Sequence, residues 1–439
     1  TGTNRSPRHR AMHDPRTITD QVRELIRLGR RDAARTLLDA ALTAAPDQPE
    51  LRYLRGMLHA EAGADRQALA DFDAALRLAP DVPPLRFNRG LVLFRLEFLP
   101  EALADFEHLV RIQPGHADAW TNIGIIQLRQ GRIGEAITSL EAAHRLAPAS
   151  PVVMRTLGNA LRDAGRPHDA LLLHQRVLQA TPADPAALTD CALCLLSLDR
   201  HETARDLYRR ALALDPGDQT ALAGLVLAGE APGAGGAGAA LMDYESLLDC
   251  SVPRGADALD LQALREQALA HERLVWEPAG RSTRAGRQSS LLDLAPGSRF
   301  SGYHERIVRH VQQRMRDLAS DPRLAGHPWL AAMPRRWHLQ SWITVLEQGG
   351  QQTPHIHPAG WLSGVVYVDA GRQLTADAGN LVFGHAPADI PLRRPVQDRT
   401  HHPVAGQIVT FPSYFFHHTT PFQGAGPRIS MAFDVVPDP

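Results

Sequence analysis

Apolar and small residues recur every 34 positions through the first half of the chain. Alanines keep this period at Ala34, Ala68, Ala102, Ala136, Ala170 and Ala204, and prolines keep it at Pro46, Pro80, Pro114, Pro148, Pro182 and Pro216. A proline stops a helix because its ring clashes with the preceding turn, and a repeat of this length is typical of stacked helix pairs. The pattern predicts six units and then a capping helix over 219–230, the units being 15–48, 49–82, 83–116, 117–150, 151–184 and 185–218.

A second series of small and large residues keeps the same phase. Glycine recurs at Gly56, Gly90, Gly124 and Gly158, and large residues recur at Leu38, Phe72, Phe106, Leu140 and Tyr208. Small side chains allow close contact between helices, and large ones fill the layer between neighbouring helix pairs. Val22 stands at the glycine position of the first unit, which predicts an atypical cap, and His174 interrupts the large series as a tolerated variation.

These features resemble the tetratricopeptide repeats. The resemblance implies an all-α solenoid whose concave face is formed mainly by the first helix of each unit and holds a peptide. Asn88 and Asn122 occupy the same position on consecutive units. In related arrays such asparagines pair with the backbone of an extended peptide, although simple solvation is the alternative. The expected partner is a peptide, a protein or a carrier-bound substrate.

A change in composition predicts a second domain over 240–439. The run 231–239 is rich in glycine and alanine and indicates a linker, while 1–14 has little apolar content and indicates a flexible tail. Apolar spacing beyond the linker predicts helices over 241–248, 259–274 and 303–318 that pack outside a β-core. The polar stretch 280–289 predicts either a loop over an active-site mouth, in which Arg284 or Gln288 contacts substrate, or a solvated connection.

Candidate chemistry is concentrated in the last hundred residues. His355 and His357 are two positions apart, and on a strand this spacing points both imidazoles to one face. Between two strand-like runs lies His417, which a jelly-roll can bring beside that pair. Arg428 and Ser430 face one way on a predicted buried strand, and a fixed cation next to a hydroxyl suits a carboxylate. The sequence therefore predicts a metal site with a carboxylate anchor beside it.

Over about 337–436 these residues resemble the non-haem iron, 2-oxoglutarate-dependent oxygenases, whose core is a double-stranded β-helix. The resemblance implies Fe(II), 2-oxoglutarate and O2, with His355 as the first metal ligand and His417 as the distal one. It also implies that Arg428 and Ser430 hold the far carboxylate of 2-oxoglutarate, and that Tyr367 reaches the same group. The implied activity is hydroxylation of a peptidyl or carrier-bound amino-acid side chain recruited by the repeats.

One position departs from the family pattern, because His357 stands where an acidic ligand is expected. Three interpretations stay open: a site of three histidines, a site of two histidines completed by water, and a degenerate site. We favour metal binding through all three histidines. Halogenase chemistry is less favoured, since it needs a small residue at this position. His418 competes with His417, which is preferred because its spacing to the following proline matches the family.

Three other functions compete with a peptidyl hydroxylase. A small-molecule hydroxylase would use the repeats only for assembly, and a non-catalytic scaffold would carry a degenerate oxygenase core. A three-histidine dioxygenase would consume O2 without 2-oxoglutarate. The pair Arg428 and Ser430 argues against that last reading, because such an enzyme has no need of the anchor.

Composition narrows the choice of function. The 439 residues suffice for two or three domains, and the overall fold class expected is multidomain α + β, an all-α tetratricopeptide solenoid followed by a jelly-roll with a helical lead-in. A formal charge of −1 predicts no nucleic-acid partner, and hydropathy predicts no membrane association. Three cysteines make no disulfide framework, which favours the cytoplasm. All 47 basic residues are arginines, which excludes Schiff-base lysines and leaves arginine as the only fixed carboxylate anchor.

Overall fold

The computed structural model describes residues 15–229, 241–278, 281–373, 375, 377–386, 390 and 398–438. Thirteen helices follow one another in the first stretch. They are Pro15–Arg27 (α1), Arg31–Ala44 (α2), Pro49–Glu61 (α3), Asp65–Leu78 (α4), Pro83–Arg95 (α5), Leu99–Ile112 (α6), Ala117–Arg129 (α7), Ile133–Leu146 (α8), Pro151–Asp163 (α9), Pro167–Ala180 (α10), Pro185–Ser197 (α11), His201–Leu214 (α12) and Gln219–Leu227 (α13). Each predicted unit holds two of these helices, and α13 is the predicted capping helix. The predicted tail 1–14 and linker 231–239 lie outside the described residues.

The repeated glycines allow a large side chain of the following helix to approach the backbone. A Cβ atom at Gly90 would lie 2.8 Å from two atoms of the buried Phe106 ring. In the fifth unit His174 takes the place of the large apolar residue, and a Cβ at Gly158 would lie 2.5 Å from its Nε2. His174 is fully buried, so the predicted tolerated variation fills the same space with an imidazole.

The chain forms two compact units that divide within α9, between Thr156 and Leu157. Residues 129–131 also belong to the second unit. The second unit contains the last repeat helices together with everything that follows them. The domain boundary placed in the linker at 231–239 stays a prediction.

Among the described residues, four α-helices follow the repeats and precede the long strands, namely Tyr244–Leu247 (α14), Leu261–Leu269 (α15), Ser301–Ser320 (α16) and Pro328–Ala331 (α17). The helix predicted over 303–318 is confirmed by α16, which buries Tyr303, Ile307 and Val311 on one face. The helices predicted over 241–248 and 259–274 were too long. The first is limited to Tyr244–Leu247 and a strand follows it, whereas the second ends at Leu269 and its last predicted residue begins the strand Leu274–Trp276.

Twelve strands are present among the described residues. They are Asp249–Ser251 (β1), Leu274–Trp276 (β2), Thr283–Ser289 (β3), Trp337–His355 (β4), Leu362–Asp369 (β5), Arg372–Gln373 (β6), Leu381–Phe383 (β7), Arg399–His401 (β8), Ile408–Pro412 (β9), His417–Thr419 (β10), Gly424–Ala425 (β11) and Arg428–Pro437 (β12). The main sheet has the order β1-β9-β5-β12-β4-β10-β7-β8, and all its pairings are antiparallel. This curled antiparallel sheet agrees with the predicted jelly-roll.

Strand β4 curls the sheet because its two ends pair with different strands. Its first part pairs with β12, from Trp337 opposite Pro437 to Leu346 opposite Arg428. Its last residue, His355, lies opposite His417 on β10. Between the two parts the backbone turns at Gly349, whose φ of 79° is in the left-handed region that glycine tolerates. The long strand thus lies beside Arg428 and Ser430 of β12 in its first part and brings His355 to β10 at its end.

The predicted loop over 280–289 was wrong, because β3 occupies 283–289 and pairs with both β2 and β4. Two of its polar side chains, Thr283 and Gln288, are buried as a hydrogen-bonded pair, in which the hydroxyl of Thr283 donates to Gln288 at 2.8 Å. Arg284 is exposed and donates to the carbonyl of Arg281 at 2.7 Å. The substrate contact expected of Arg284 or Gln288 stays a prediction.

Within the described residues, no helix has both the length and the apolar character needed to cross a membrane.

Candidate metal centre

Three histidines converge where β4 ends and β10 begins. The potential ligand atoms of His355, His357 and His417 all lie within 4.8 Å of one another. The ring centroids are 4.3 Å apart for His355 and His417, and 5.0 Å apart for His357 and His417. The direct register of His355 opposite His417 produces this approach. His357 was expected on the same strand but lies two residues beyond its end, where its backbone N–H donates to the carbonyl of Ser413 at 3.0 Å. The sequence prediction that these three residues come together is confirmed.

Each of the three rings has its Nδ1 atom engaged by an oxygen. His355 Nδ1 donates to the carbonyl of Thr353 at 2.7 Å, and His417 Nδ1 donates to that of Phe415 at 2.9 Å. His357 Nδ1 lies 2.6 Å from Oδ1 of Asp434. This arrangement leaves Nε2 of His357 and His417 for a metal ion, while Nε2 of His355 lies 3.4 Å from the hydroxyl oxygen of Ser282. An Nδ1 held by an oxygen is the pattern seen in histidines that bind metals through Nε2.

Burial keeps two of these imidazoles neutral. Burial, together with the neighbouring His357, lowers the pKa of His355 to about 3. Burial likewise holds the pKa of His417 well below its ordinary value, with His355 and His357 adding to the effect. A neutral imidazole has a free lone pair, so both rings are in the protonation state that metal binding requires.

A buried arginine lies in the same pocket as the histidines. Arg428 is only 2% exposed, and its Nε atom has no hydrogen-bond partner among the described residues. No carboxylate in the part of the chain that the structure describes lies within ion-pairing distance of it. Burial lowers the pKa of its guanidinium, which Tyr367 partly offsets. An uncompensated buried cation is costly, so the pocket is suited to an anionic ligand.

Hydroxyl groups surround this cation. The guanidinium carbon of Arg428 lies 5.0 Å from the centre of the Tyr367 ring. Ser430 pairs with Tyr367 on one side and with Thr344 on the other, so all three side chains line the pocket with Arg428. In the part of the chain that the structure describes, the buried hydroxyls of Tyr367 and Thr344 have no hydrogen-bond partner. Burial raises the pKa of Tyr367 to about 12, so its hydroxyl is a proton donor at neutral pH.

The remaining histidines and Trp361 lie outside the cluster. Successive residues of a strand face opposite sides, and accordingly His418 packs against His385, with ring centroids 5.2 Å apart. The preference for His417 over His418 thus agrees with the geometry. Trp361 stacks on Trp329 with centroids 4.3 Å apart, and each indole donates to the other residue's carbonyl. Trp361 is therefore a packing residue.

Sequence reasoning missed three residues of the site. Thr344, Asp434 and Ser363 lie on three different strands, and each is brought in by register. The alternation along β12 offered one signal, since Asp434 is separated from Ser430 by four residues and so faces the same side. Asp434 also departs from the apolar pattern at the end of this strand, and that departure can be seen in the sequence.

The pair Cys191 and Cys194 is part of the helix core. Both side chains are buried within α11. Burial raises the pKa of the Cys191 thiol to about 12 and that of Cys194 to about 11. Protonated thiols are poor metal ligands and poor nucleophiles, which removes this pair from the candidate chemistry.

Two family models match the chain. The family described as "Tetratricopeptide repeat" matches residues 19–83, 87–151 and 155–219. The family described as "Putative 2OG-Fe(II) oxygenase" matches residues 340–434, which include all three histidines, Arg428 and Asp434. The protein therefore combines a helical repeat array with an oxygenase-type β-domain. Its chain carries tetratricopeptide repeats followed by a C-terminal domain of the 2-oxoglutarate and Fe(II) oxygenase family.

Solved structures similar to the chain are tetratricopeptide-repeat proteins. YrrB, described as a TPR protein with an unusual peptide-binding site, is 20% identical with a TM-score of 0.38, over 42% of this chain and 95% of its own. PilF of Pseudomonas aeruginosa is 16% identical with a TM-score of 0.43, over 49% of this chain and 97% of its own. PilW, described as a type IV pilus biogenesis factor, is 22% identical with a TM-score of 0.41, over 45% and 91%. No curated protein matches the chain significantly.

Proposed function

We propose that the protein is an Fe(II)- and 2-oxoglutarate-dependent dioxygenase that hydroxylates a peptidyl or carrier-bound amino-acid side chain. One observation carries the first part of this proposal. Three imidazoles whose potential ligand atoms lie within 4.8 Å of one another line a single pocket with a buried guanidinium that has no carboxylate partner among the described residues. A metal ion and a dicarboxylate together satisfy both halves of that pocket, and neither alone does so.

The residues divide into two groups by role. His355, His357 and His417 would hold Fe(II) through Nε2, with their Nδ1 hydrogen bonds fixing each ring. Arg428, Ser430 and Tyr367 would bind the far carboxylate of 2-oxoglutarate, the arginine by charge and the hydroxyls by hydrogen bonds. When bound, the iron and the keto acid supply O2-dependent oxidation of an unactivated C–H bond, with succinate and CO2 as co-products.

The repeat array supports a peptide or protein as the substrate. Arrays of this type present an extended concave surface suited to recognising peptides. The two candidate asparagines are already engaged within the array: Asn88 donates to the Tyr53 hydroxyl at 2.9 Å and Asn122 donates to the carbonyl of Asp118 at 2.8 Å. A ladder of asparagines is therefore not the basis of the proposal, which depends on the surface as a whole.

Anaerobic addition of Fe(II) and 2-oxoglutarate tests the cofactor assignment. We expect the visible charge-transfer band of the iron and keto acid chelate to appear, because the pocket places a metal beside a carboxylate anchor. Succinate, which lacks the keto group, is the control and should give no band. Uptake of O2 without any band would instead indicate a dioxygenase independent of 2-oxoglutarate, and the absence of both would favour a non-catalytic scaffold.

Turnover with matched substrates tests the substrate class. We expect the full-length protein to release succinate above its uncoupled background with a pool of peptides, and not with the same amino acids in free form. The physical reason is that a repeat surface binds many residues of an extended chain at once. Equal or greater turnover with the free amino acids would overturn the peptidyl substrate in favour of a small-molecule hydroxylase.

A further inference from the structure

A buried carboxylate lies directly behind the histidine that replaces the expected acidic ligand. Asp434 Oδ1 is 2.6 Å from Nδ1 of His357, and each of the two side chains is only 10% exposed. In the described part of the chain, His357 is its only ion-pair partner. The negative charge that the family pattern places on the metal is thus present here, one hydrogen bond further out.

The surrounding residues fix this carboxylate in place. Ser363 donates its hydroxyl proton to Asp434 Oδ1 at 2.7 Å. Because Ser363 has only that one proton to give, the hydroxyl of Ser413, 2.8 Å away, donates to Ser363 in turn. A Cβ at Gly360 would lie 2.7 Å from Ser413 Oγ and 3.2 Å from Asp434 Cβ. These closely packed groups together fix the position of the Asp434 carboxylate.

Three neutral imidazoles alone would leave the full charge of a divalent ion uncompensated in a low-dielectric pocket. A carboxylate that accepts the Nδ1 proton of a ligating histidine makes Nε2 a stronger donor and reduces that charge. Asp434 is suited to this because it faces His357 and has no arginine partner among the described residues to neutralise it.

We propose that Asp434 and His357 act as a pair, in which the carboxylate supplies through the imidazole the charge that a directly bound acid would bring. Asp434 is then a positioning residue and not a metal ligand. The inference rests on the proposed function, because it requires the three histidines to bind Fe(II). It also explains how an imidazole can stand at the acid's position without making the site degenerate.

Replacing Asp434 by asparagine separates charge from shape. The Oδ1 atom of Asp434→Asn can still accept from His357, so ring orientation is kept while the charge is lost. We expect Fe(II) to bind roughly 10- to 100-fold more weakly, which is the usual effect of losing such an outer partner. The Fe(III)/Fe(II) reduction potential should rise, since removing a negative charge destabilises Fe(III) more. Competition with a chelator and redox titration of the full-length protein measure the two effects.

The matched control is Asp438→Asn. Asp438 also accepts from a histidine Nδ1, that of His338 at 2.8 Å, but this pair is exposed and lies outside the cluster. The control should leave both affinity and potential unchanged. If Asp434→Asn behaves like the control, the charge-supplying pair is overturned while the proposed function stands. If the unaltered protein binds no Fe(II), the proposed function falls and the pair with it.

A measurement on the unaltered protein covers the case in which Asp434→Asn does not fold. With Zn²⁺ as a diamagnetic probe, the Nδ1 proton of His357 should resonate furthest downfield in the proton NMR spectrum. The Nδ1 protons of His355 and His417 are internal controls, because they donate to neutral carbonyl oxygens. A His357 proton that does not differ from those two would overturn the inference.

Discussion

Fe(II) binding is expected to be lost when His417 is replaced by alanine. The potential ligand atom of the His417 ring lies within 4.8 Å of those of His355 and His357. Removing an outer partner of a metal ligand already costs roughly 10- to 100-fold in affinity, so removing the ligand itself should weaken binding by more than about 100-fold. The measurement is anaerobic titration with Fe(II), followed by the charge-transfer band with 2-oxoglutarate.

The neighbouring His418 is the matched control for this experiment. Its ring lies on the opposite face of the same strand and packs against His385. His418→Ala should therefore bind iron as the unaltered protein does. Loss of iron in His418→Ala with retention in His417→Ala would reverse the assignment of the distal ligand and contradict the geometry of the cluster.

Arg428→Met should abolish tight binding of 2-oxoglutarate and leave the protein folded. Truncating one member of a desolvated charge pair costs about 2–5 kcal/mol, and 2 kcal/mol corresponds to roughly 30-fold in the dissociation constant. Without ligand, Arg428 is a buried charge with no carboxylate partner among the described residues. Its replacement by an apolar side chain should not lower the melting temperature of the ligand-free protein, because no buried ion pair is broken.

Arg336→Met is the control for a general effect of removing an arginine, since Arg336 is exposed and lies outside the pocket. It should change neither binding nor stability. The melting temperature of Arg428→Met distinguishes between two roles of the guanidinium, binding of 2-oxoglutarate and stabilisation of the fold. A large fall in the ligand-free protein, with binding of 2-oxoglutarate unaffected, would make Arg428 a structural residue and remove the anchor from the proposed function.

The sequence alone predicted the helices of the repeat half almost residue by residue. Each repeat proline lies two residues beyond the end of a helix, as at Pro80 after α4 and Pro114 after α6. The reason is that local rules govern such arrays: helix period, proline termination and the contact of a glycine with a large residue 16 positions later, as for Gly90 and Phe106. All of these are readable within one 34-residue repeat.

The sequence predicted the β-rich half less accurately, and the errors share one cause. The segment 283–289 reads as a polar loop because its strand buries Thr283 and Gln288 as a hydrogen-bonded pair, which periodicity cannot anticipate. The helix expected over 259–274 ends early because Leu274–Trp276 pairs with that same strand. In both places a partner distant in sequence decided the local structure.

The sequence by itself determined the candidate site residues. These are three histidines, one of which stands where an acid was expected, and an arginine with a serine two residues later. Only the tertiary structure determined which residue compensates for the missing acidic ligand at the position of His357. Asp434 is 77 residues from His357, and they meet because β5 pairs with β12 while β12 pairs with β4. Strand register is set by packing across the whole sheet, so a carboxylate that acts through a neighbour's ring leaves no local motif in the chain.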